Sequence, residues 1–237
     1  MTRTPAAERS LSSRLWWLAL DAVFPPRCVT CRAWGAFVCP ACAEQMVRAQ
    51  HPRCGVCWQP SADTRCEVCR HAEPAFTAVR SVYDFSGPAR ALVHALKFGG
   101  VSALAPEMAA PMGELLLGWR PDVSAIVPVP MAGVRKRKRG YNQSELLARE
   151  IGRLTGVSVI TSAVVRLAGP AQVEQPDADA RRRNARGAFR AGRAKLAGDV
   201  LIVDDVTTTG ATLDACSRAL QSAGADRVFG LTFARES

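Results

Sequence analysis

Residues 200–212 read VLIVDDVTTTGAT, and the order of residue types in this stretch sets the fold class. Val200, Leu201, Ile202 and Val203 form a continuous apolar run, which predicts a strand buried on both faces, as in a parallel sheet. Two carboxylates follow, Asp204 and Asp205, then a loop rich in threonine and glycine. The loop opens a helix over 212–223, with Leu213, Cys216, Leu220 and Ala223 on one face. A further strand over 227–233 completes a strand–helix–strand unit, so the expected class is α/β, a central parallel sheet flanked by helices. Ligands of such sheets bind at the carboxyl ends of the strands, which is where Asp204 and Asp205 stand.

The residue types suit a phosphorylated sugar. Backbone N–H groups at the start of a helix receive a phosphate. Thr207, Thr208, Thr209 and Thr212 add hydroxyl donors, and Gly210 lets the backbone approach closely. Adjacent carboxylates accept hydrogen bonds from neighbouring ribose hydroxyls. GxxxxGK[ST] and GxGxxG are both absent from this loop. A strand ending in an ordinary N-cap would need one polar residue, not two acids, three threonines and a glycine in succession.

Upstream, the alternation continues. Residues 76–85 (FTAVRSVYDF) predict a strand, and 88–98 a short helix with Leu92 and Leu96 inward. Arg90, His94 and Lys97 share the opposite face, which reads as solvated. A second helix is expected over 105–117, and a buried strand over 125–129 ends among Pro128 and Pro130. After the basic run Arg135, Lys136, Arg137, Lys138 and Arg139 comes a helix to about 154, striped by Leu147, Ile151 and Leu154. The basic run fits either a bound anion or a solvated face. Residues 168–186, with Arg181, Arg182 and Arg183, predict a long loop of the kind that often closes over sites.

Eight of nine cysteines form four CxxC pairs: Cys28/Cys31, Cys39/Cys42, Cys54/Cys57 and Cys66/Cys69. The third pair lies 26 residues after the first and the fourth 27 after the second, an internal duplication. Two residues between thiolates let one turn present both sulfurs to one ion, and two facing turns complete a tetrahedral Cys₄ zinc site. Gly55 suits the third turn. Sequential pairing gives a double zinc ribbon, and interleaved pairing a cross-brace. A disulfide framework would need an oxidising compartment, and nothing in the sequence directs export, so a cytoplasmic location is expected. His51 and His71 read as bystanders, and Cys216 as a buried inert thiol. The sequence predicts three parts: an N-terminal helix over 1–24, a double zinc ribbon over 25–72 and the α/β domain over 73–237. The first is expected to pack on the body through Leu11, Leu15, Leu18 and Ala22, or to lie on a membrane surface through Trp16 and Trp17.

In 237 residues, 48% hydrophobic composition leaves ample material for a core and excludes a disordered chain. The longest apolar run near the start, LWWLAL at 15–20, is far short of the roughly 20 residues of a membrane span. The formal net charge is +10, or about +6 once eight thiolates and two Zn²⁺ are counted. Either value favours anionic partners, nucleic acid among them. Aromatic residues at 6% argue against a dedicated single-strand binder.

The stretch 200–212 resembles the phosphoribosyl-pyrophosphate (PRPP) motif of type I phosphoribosyltransferases. A narrower resemblance is to the ComF family, which joins a zinc ribbon to that fold. It is carried by FPPRCVTC (24–31), YDFSGPARALVHALKFGG (83–100), VPVP (127–130) with RKRGYNQSELLA (137–148), and RRRNARGAF (181–189). The stretch AQVEQPDADA (171–180) departs from the family's spacing. The resemblance implies a PRPP-binding phosphoribosyltransferase whose catalytic pair, Asp204 and Asp205, holds the ribose hydroxyls. Val206, Thr207, Thr208, Thr209, Gly210, Ala211 and Thr212 would hold the 5′-phosphate. The turn from Pro130 would cradle pyrophosphate, assisted by Arg135 and Arg139, with Arg181 closing from the long loop. Implied cofactors are two structural Zn²⁺ and Mg²⁺ carried with PRPP. The family's name also implies the alternative, an accessory factor handling single-stranded DNA in natural transformation.

Overall fold

The computed structural model describes residues 25–167 and 187–236. The expected N-terminal helix, the loop at 168–186 and, with it, Arg181 lie outside the described residues. The chain divides into two compact units, 1–45 and 46–237, so the division falls inside the stretch assigned above to one ribbon.

The smaller unit holds the first pair of knuckles. Helix α1 (Pro40–Glu44) begins immediately after Cys39. The larger unit begins with the second pair and α2 (Glu67–His71), which follows Cys66 in the same way. The elements of the sheet domain come next: β1 (Ala78–Asp84), α3 (Gly87–Phe98), α4 (Ala105–Trp119), β2 (Ala125–Pro128), α5 (Gly133–Arg139), α6 (Gln143–Thr155), β3 (Val164–Arg166), β4 (Phe189–Ala191), β5 (Val200–Thr207), α7 (Ala211–Ser222) and β6 (Val228–Arg235).

Four strands form one sheet in the order β1-β6-β5-β2, all neighbours parallel. Residues 158–160 extend it beyond β2 through the bonds Ile126 N–H to Ser158 O (2.8 Å) and Ile160 N–H to Ile126 O (2.9 Å). Strands β3 and β4 form a separate antiparallel pair. Every residue of β6 is buried, as expected of a central parallel strand. Alternation along β5 sends Val200 and Ile202 into a cluster with Leu213, Cys216 and Leu220 of α7. Leu201 and Val203 point to the other face and are fully buried as well. Among the described residues, no helix is long and apolar enough to cross a membrane.

One boundary differs in a way that matters. The strand expected to stop at Val203 runs on to Thr207. Asp204, Val206 and Thr207 stay in register with Thr232, Ala234 and Arg235 of β6. The partner strand is long enough to hold the polar residues in the ladder, so the loop shrinks to the residues around Thr208–Gly210.

Candidate functional site: an acid pair, a threonine loop and two cysteine centres

Strand periodicity turns successive side chains to opposite faces, and the two carboxylates of β5 find different partners. Asp205 is 1% exposed. Its Oδ1 lies 3.1 Å from Nζ of Lys97 on α3, and its Oδ2 is buried with no hydrogen-bond partner. A buried unpaired carboxylate oxygen is costly, and a ligand hydroxyl would satisfy it. Asp204 accepts from Ser144 Oγ (2.7 Å) and from the Asp205 amide (2.9 Å). Ser144 is held there because Asn142 caps α6. Its side chain accepts from the Ser144 N–H and donates to Val129 O at the end of β2. Burial raises Asp204, and the adjacent Asp205 carboxylate adds to the rise, to about 7, while the Lys97 ammonium and the bonds from Ser144 and the Asp205 amide oppose it.

The loop then turns into α7. Thr207 is buried and Thr208 and Thr209 are half-buried. Gly210 is the N-cap in the left-handed region (φ +76°), with no side-chain cap on the helix. The Ala211 N–H reaches Thr209 Oγ1 at 3.4 Å, and Thr212 lies in the first turn. Val206, Thr207, Thr208, Thr209, Gly210, Ala211 and Thr212 thus run from the acid pair into the positive end of a 12-residue helix.

The basic residues are distributed unevenly. Pro130 follows β2 and leads into α5, where the run expected beside a turn is helical and largely exposed. Lys136 pairs with Glu145 at 3.1 Å, and Arg139 bonds Gln143 and covers the Phe98 ring at 5.3 Å. Burial lowers Arg166 on β3, and the charge of Arg135 adds to this, while Cys216 and Asp204 act the other way. The Arg166 guanidinium also lies 5.1 Å from the Phe189 ring on β4. Lys97, Ser144 and Arg166 were not singled out as site residues from sequence. Lys97 read as part of a solvated face and its side chain is only 21% exposed. Ser144 had a signal, the Asn-x-Ser opening of a helix.

The cysteines group sequentially, as Cys28/Cys31/Cys39/Cys42 and Cys54/Cys57/Cys66/Cys69, with the four sulfurs of each group within 4.8 Å of one another. Tetrahedral zinc with Zn–S bonds near 2.3 Å separates sulfurs by about 3.8 Å. The Cys31–Cys39 and Cys57–Cys66 sulfurs are 3.5 and 3.7 Å apart, so both groups fit the ion. These are two Cys₄ zinc-binding sites. The histidines stay outside them: His71 Nδ1 bonds Glu67 O and His51 packs edge-on to Trp58. The turn residue with positive φ is not Gly55 but the residue after the second cysteine, Arg32 (φ 69°) and Trp58 (φ 64°). Gly55 is needed for close approach instead, since a Cβ there would meet Thr64 O at 3.2 Å.

A family model described as "Double zinc ribbon domain" matches residues 19–73. The chain is 32% identical over 219 residues to DNA utilization protein YhgH of Salmonella typhimurium, covering 86% of this chain and 94% of that one. It is 28% identical to Competence protein F of Haemophilus influenzae (85% and 93% covered) and 25% identical to Competence protein ComFC of Bacillus subtilis (79% of each). Among solved structures it is similar to a purine phosphoribosyltransferase from Pyrococcus horikoshii, at 17% identity and a TM-score of 0.34, over 54% of this chain and 80% of that one. A hypoxanthine phosphoribosyltransferase from Staphylococcus aureus matches at 16% identity and a TM-score of 0.36, over 55% of this chain and 62% of that one. By its match along nearly the whole of the YhgH sequence, the chain belongs to the ComF family.

Proposed function

We propose that this is a PRPP-binding protein of the phosphoribosyltransferase type that transfers a phosphoribosyl group to an acceptor. One observation carries the reading: a half-buried and a buried carboxylate, one oxygen of the buried one unpartnered, stand side by side near the carboxyl end of a parallel strand that leads through the threonine loop to an uncapped helix N-terminus. In this reading Asp205 Oδ2 and Asp204 accept the ribose hydroxyls, and the 5′-phosphate meets the amides and hydroxyls of Thr207–Thr212. As the bond from C1 to pyrophosphate breaks, positive charge develops on the sugar ring, and the two carboxylates stabilise it. Arg135 and Arg166 offset the charge on the departing pyrophosphate, with Pro130 and Arg139 alongside. Arg181, which lies outside the described residues, belongs to the same proposal as a contact of PRPP. Asp204 and Asp205 are hard oxygen donors of the kind Mg²⁺ accepts, and the ion would neutralise the leaving group. The cytoplasm is the proposed location, because eight zinc-ligating thiols persist where disulfides are disfavoured.

Calorimetry with PRPP and Mg²⁺ tests this. Asp204→Asn and Asp205→Asn should each weaken binding about tenfold or more, since hydrogen bonds to charged groups are worth about 1.5–3 kcal/mol. Lys136→Ala should leave it nearly intact. Asn variants that bind like the parent would remove the ribose-binding role.

A second reading, handling of single-stranded DNA, is favoured by a file of rings and cations on the α3 side. Arg90 lies 5.9 Å from the Phe85 ring, Phe85 stacks on His94 at 6.0 Å, and His94 meets Phe98 at 5.7 Å, with Arg139 beyond it. Phe98 is 74% exposed, as a stacking platform must be. Oligonucleotide binding that falls steeply with salt and is weakened by Phe98→Ala supports it; insensitivity to that change removes it.

A further inference from the structure

In the larger unit the second Cys₄ site and the threonine loop line one pocket. Its lining includes Cys57, Cys69 and Phe76 as well as Thr209 and Gly210. Phe76 is 4% exposed, and a Cβ on Gly210 would stand 3.5 Å from its ring. The segment joining Cys69 to Phe76 is bolted to α7. The Ala75 N–H donates to Asp214 Oδ1 in the first turn (2.7 Å), and Gln221 Nε2 donates to Ala75 O (3.0 Å).

A second link runs through β6. The backbone of Arg235 pairs with Thr207, and the Glu236 N–H donates to Thr207 O at 2.9 Å. The Arg235 side chain is 2% exposed. Its Nη1 donates to Cys57 O at 2.8 Å; burial lowers its pKa, and of the charges that act on it Cys57, Cys66 and Cys69 favour the guanidinium while Arg53 opposes it. Four thiolates around one Zn²⁺ leave a net charge of about −2, for which this buried guanidinium is the counter-charge. At five residues α2 is too short to persist by itself once the ion is gone, and as the thiols take up protons Arg235 loses its counter-charge.

We propose that zinc in the second Cys₄ site holds the loop around Thr207–Thr212 in its binding form, so that the loop's order depends on that ion and not on the ion of the first site. The consequence for phosphate binding rests on the function proposed above; the effect on the loop itself does not.

The test uses full-length protein with zinc content measured. Cys69→Ser removes the second ion, and Cys39→Ser the first. Amide exchange over residues 207–214 should quicken at least tenfold in Cys69→Ser and stay at the parental rate in Cys39→Ser. Phe76→Leu keeps every ligand but thins the contact with Gly210, so it should quicken the same amides with both ions retained. Affinity for inorganic pyrophosphate and for PRPP with Mg²⁺ should fall at least tenfold in Cys69→Ser and stay at the parental value in Cys39→Ser. Unchanged loop exchange in Cys69→Ser overturns the proposal. So does exchange of the loop at the same opening free energy as β5 and α4, because the ion would then act only through the stability of the whole unit. If the parent binds neither anion while loop exchange still follows the second ion, the phosphoribosyl reading fails and this one stands.

Discussion

The two cysteine centres share a backbone and differ in almost everything that surrounds it. Offset by 26 residues, the same hydrogen bonds recur: Cys28 N–H to Ala33 O and Cys54 N–H to Gln59 O, both 2.8 Å, and Arg32 N–H to Cys28 O against Trp58 N–H to Cys54 O. The bridges Arg27–Trp34 and Arg53–Pro60 repeat at the same offset. In the first centre Cys31 is exposed and Cys39 half-buried; in the second all four cysteines are buried. The residue in the left-handed turn is exposed Arg32 in one copy. In the other it is Trp58, 7% exposed, its Nε1 donating to Ala49 O and its ring under Arg80. Spacing of ligands thus determines the knuckle, while the neighbours decide whether the ion is a local staple or part of a larger core.

The largest test of this contrast is thermal. Cys69→Ser should lower the melting temperature of the larger unit by about 10 °C, as expected for a few kcal/mol in a domain of this size. Cys31→Ser should leave that transition where it was, and calorimetry on both variants decides. Equal shifts would break the comparison.

A sharper test makes one substitution in both copies. Replacing Trp58 by Gly forfeits a buried aromatic and should cost about 3–5 kcal/mol, measured by denaturant unfolding. Replacing Arg32 by Gly removes only the cost of a left-handed backbone and should stabilise its knuckle by about 1 kcal/mol, seen as slower zinc release to a chelator. Opposite signs at equivalent positions are the expected result.

A further test contrasts the settled charges of the second knuckle with the unsettled acid pair. Asp204 is raised to about 7 by burial and by Asp205, so the folded state holds a proton that the unfolded chain gives up near pH 4. Stability from this group is full below that pH and is lost as pH rises through about 7. Asp204→Asn should therefore flatten the decline in melting temperature between pH 5 and 8. PRPP affinity of the parent should rise over the same interval as the carboxylate ionises, and the Asn variant should lose that slope.

Much of this was legible in the chain. The apolar run before Asp204 declared the buried strand, and the doubled CxxC spacing declared both metal sites. The end of β5 was hidden, because Asp204 and Asp205 are poor strand formers, and pairing with β6 carries the strand past them to Val206 and Thr207. The three-residue strands β3 and β4 carry no periodicity, so Arg166 had no signal. Lys97 was misread because helical spacing shows only that it points away from Leu92 and Leu96, not that Asp205 waits there. The division at 45/46 was hidden too, since two copies of one motif look alike until their neighbours are known.

The position of β6 bears on how the chain is made. It lies between β1 and β5 in the sheet but follows every other strand in the chain. On a ribosome, 143 residues separate the end of β1 at Asp84 from the start of β6 at Val228, an interval of roughly 7–30 s at ordinary elongation rates. During it the edge of β1 has no sheet partner and is open to mispairing. The second knuckle is synthesised first, and it already offers β1 two holds: Val56 O for the Val79 N–H, and Arg53 for Asp84. A nascent chain loaded with zinc at that stage would carry its first strand shielded while the last one is still being translated.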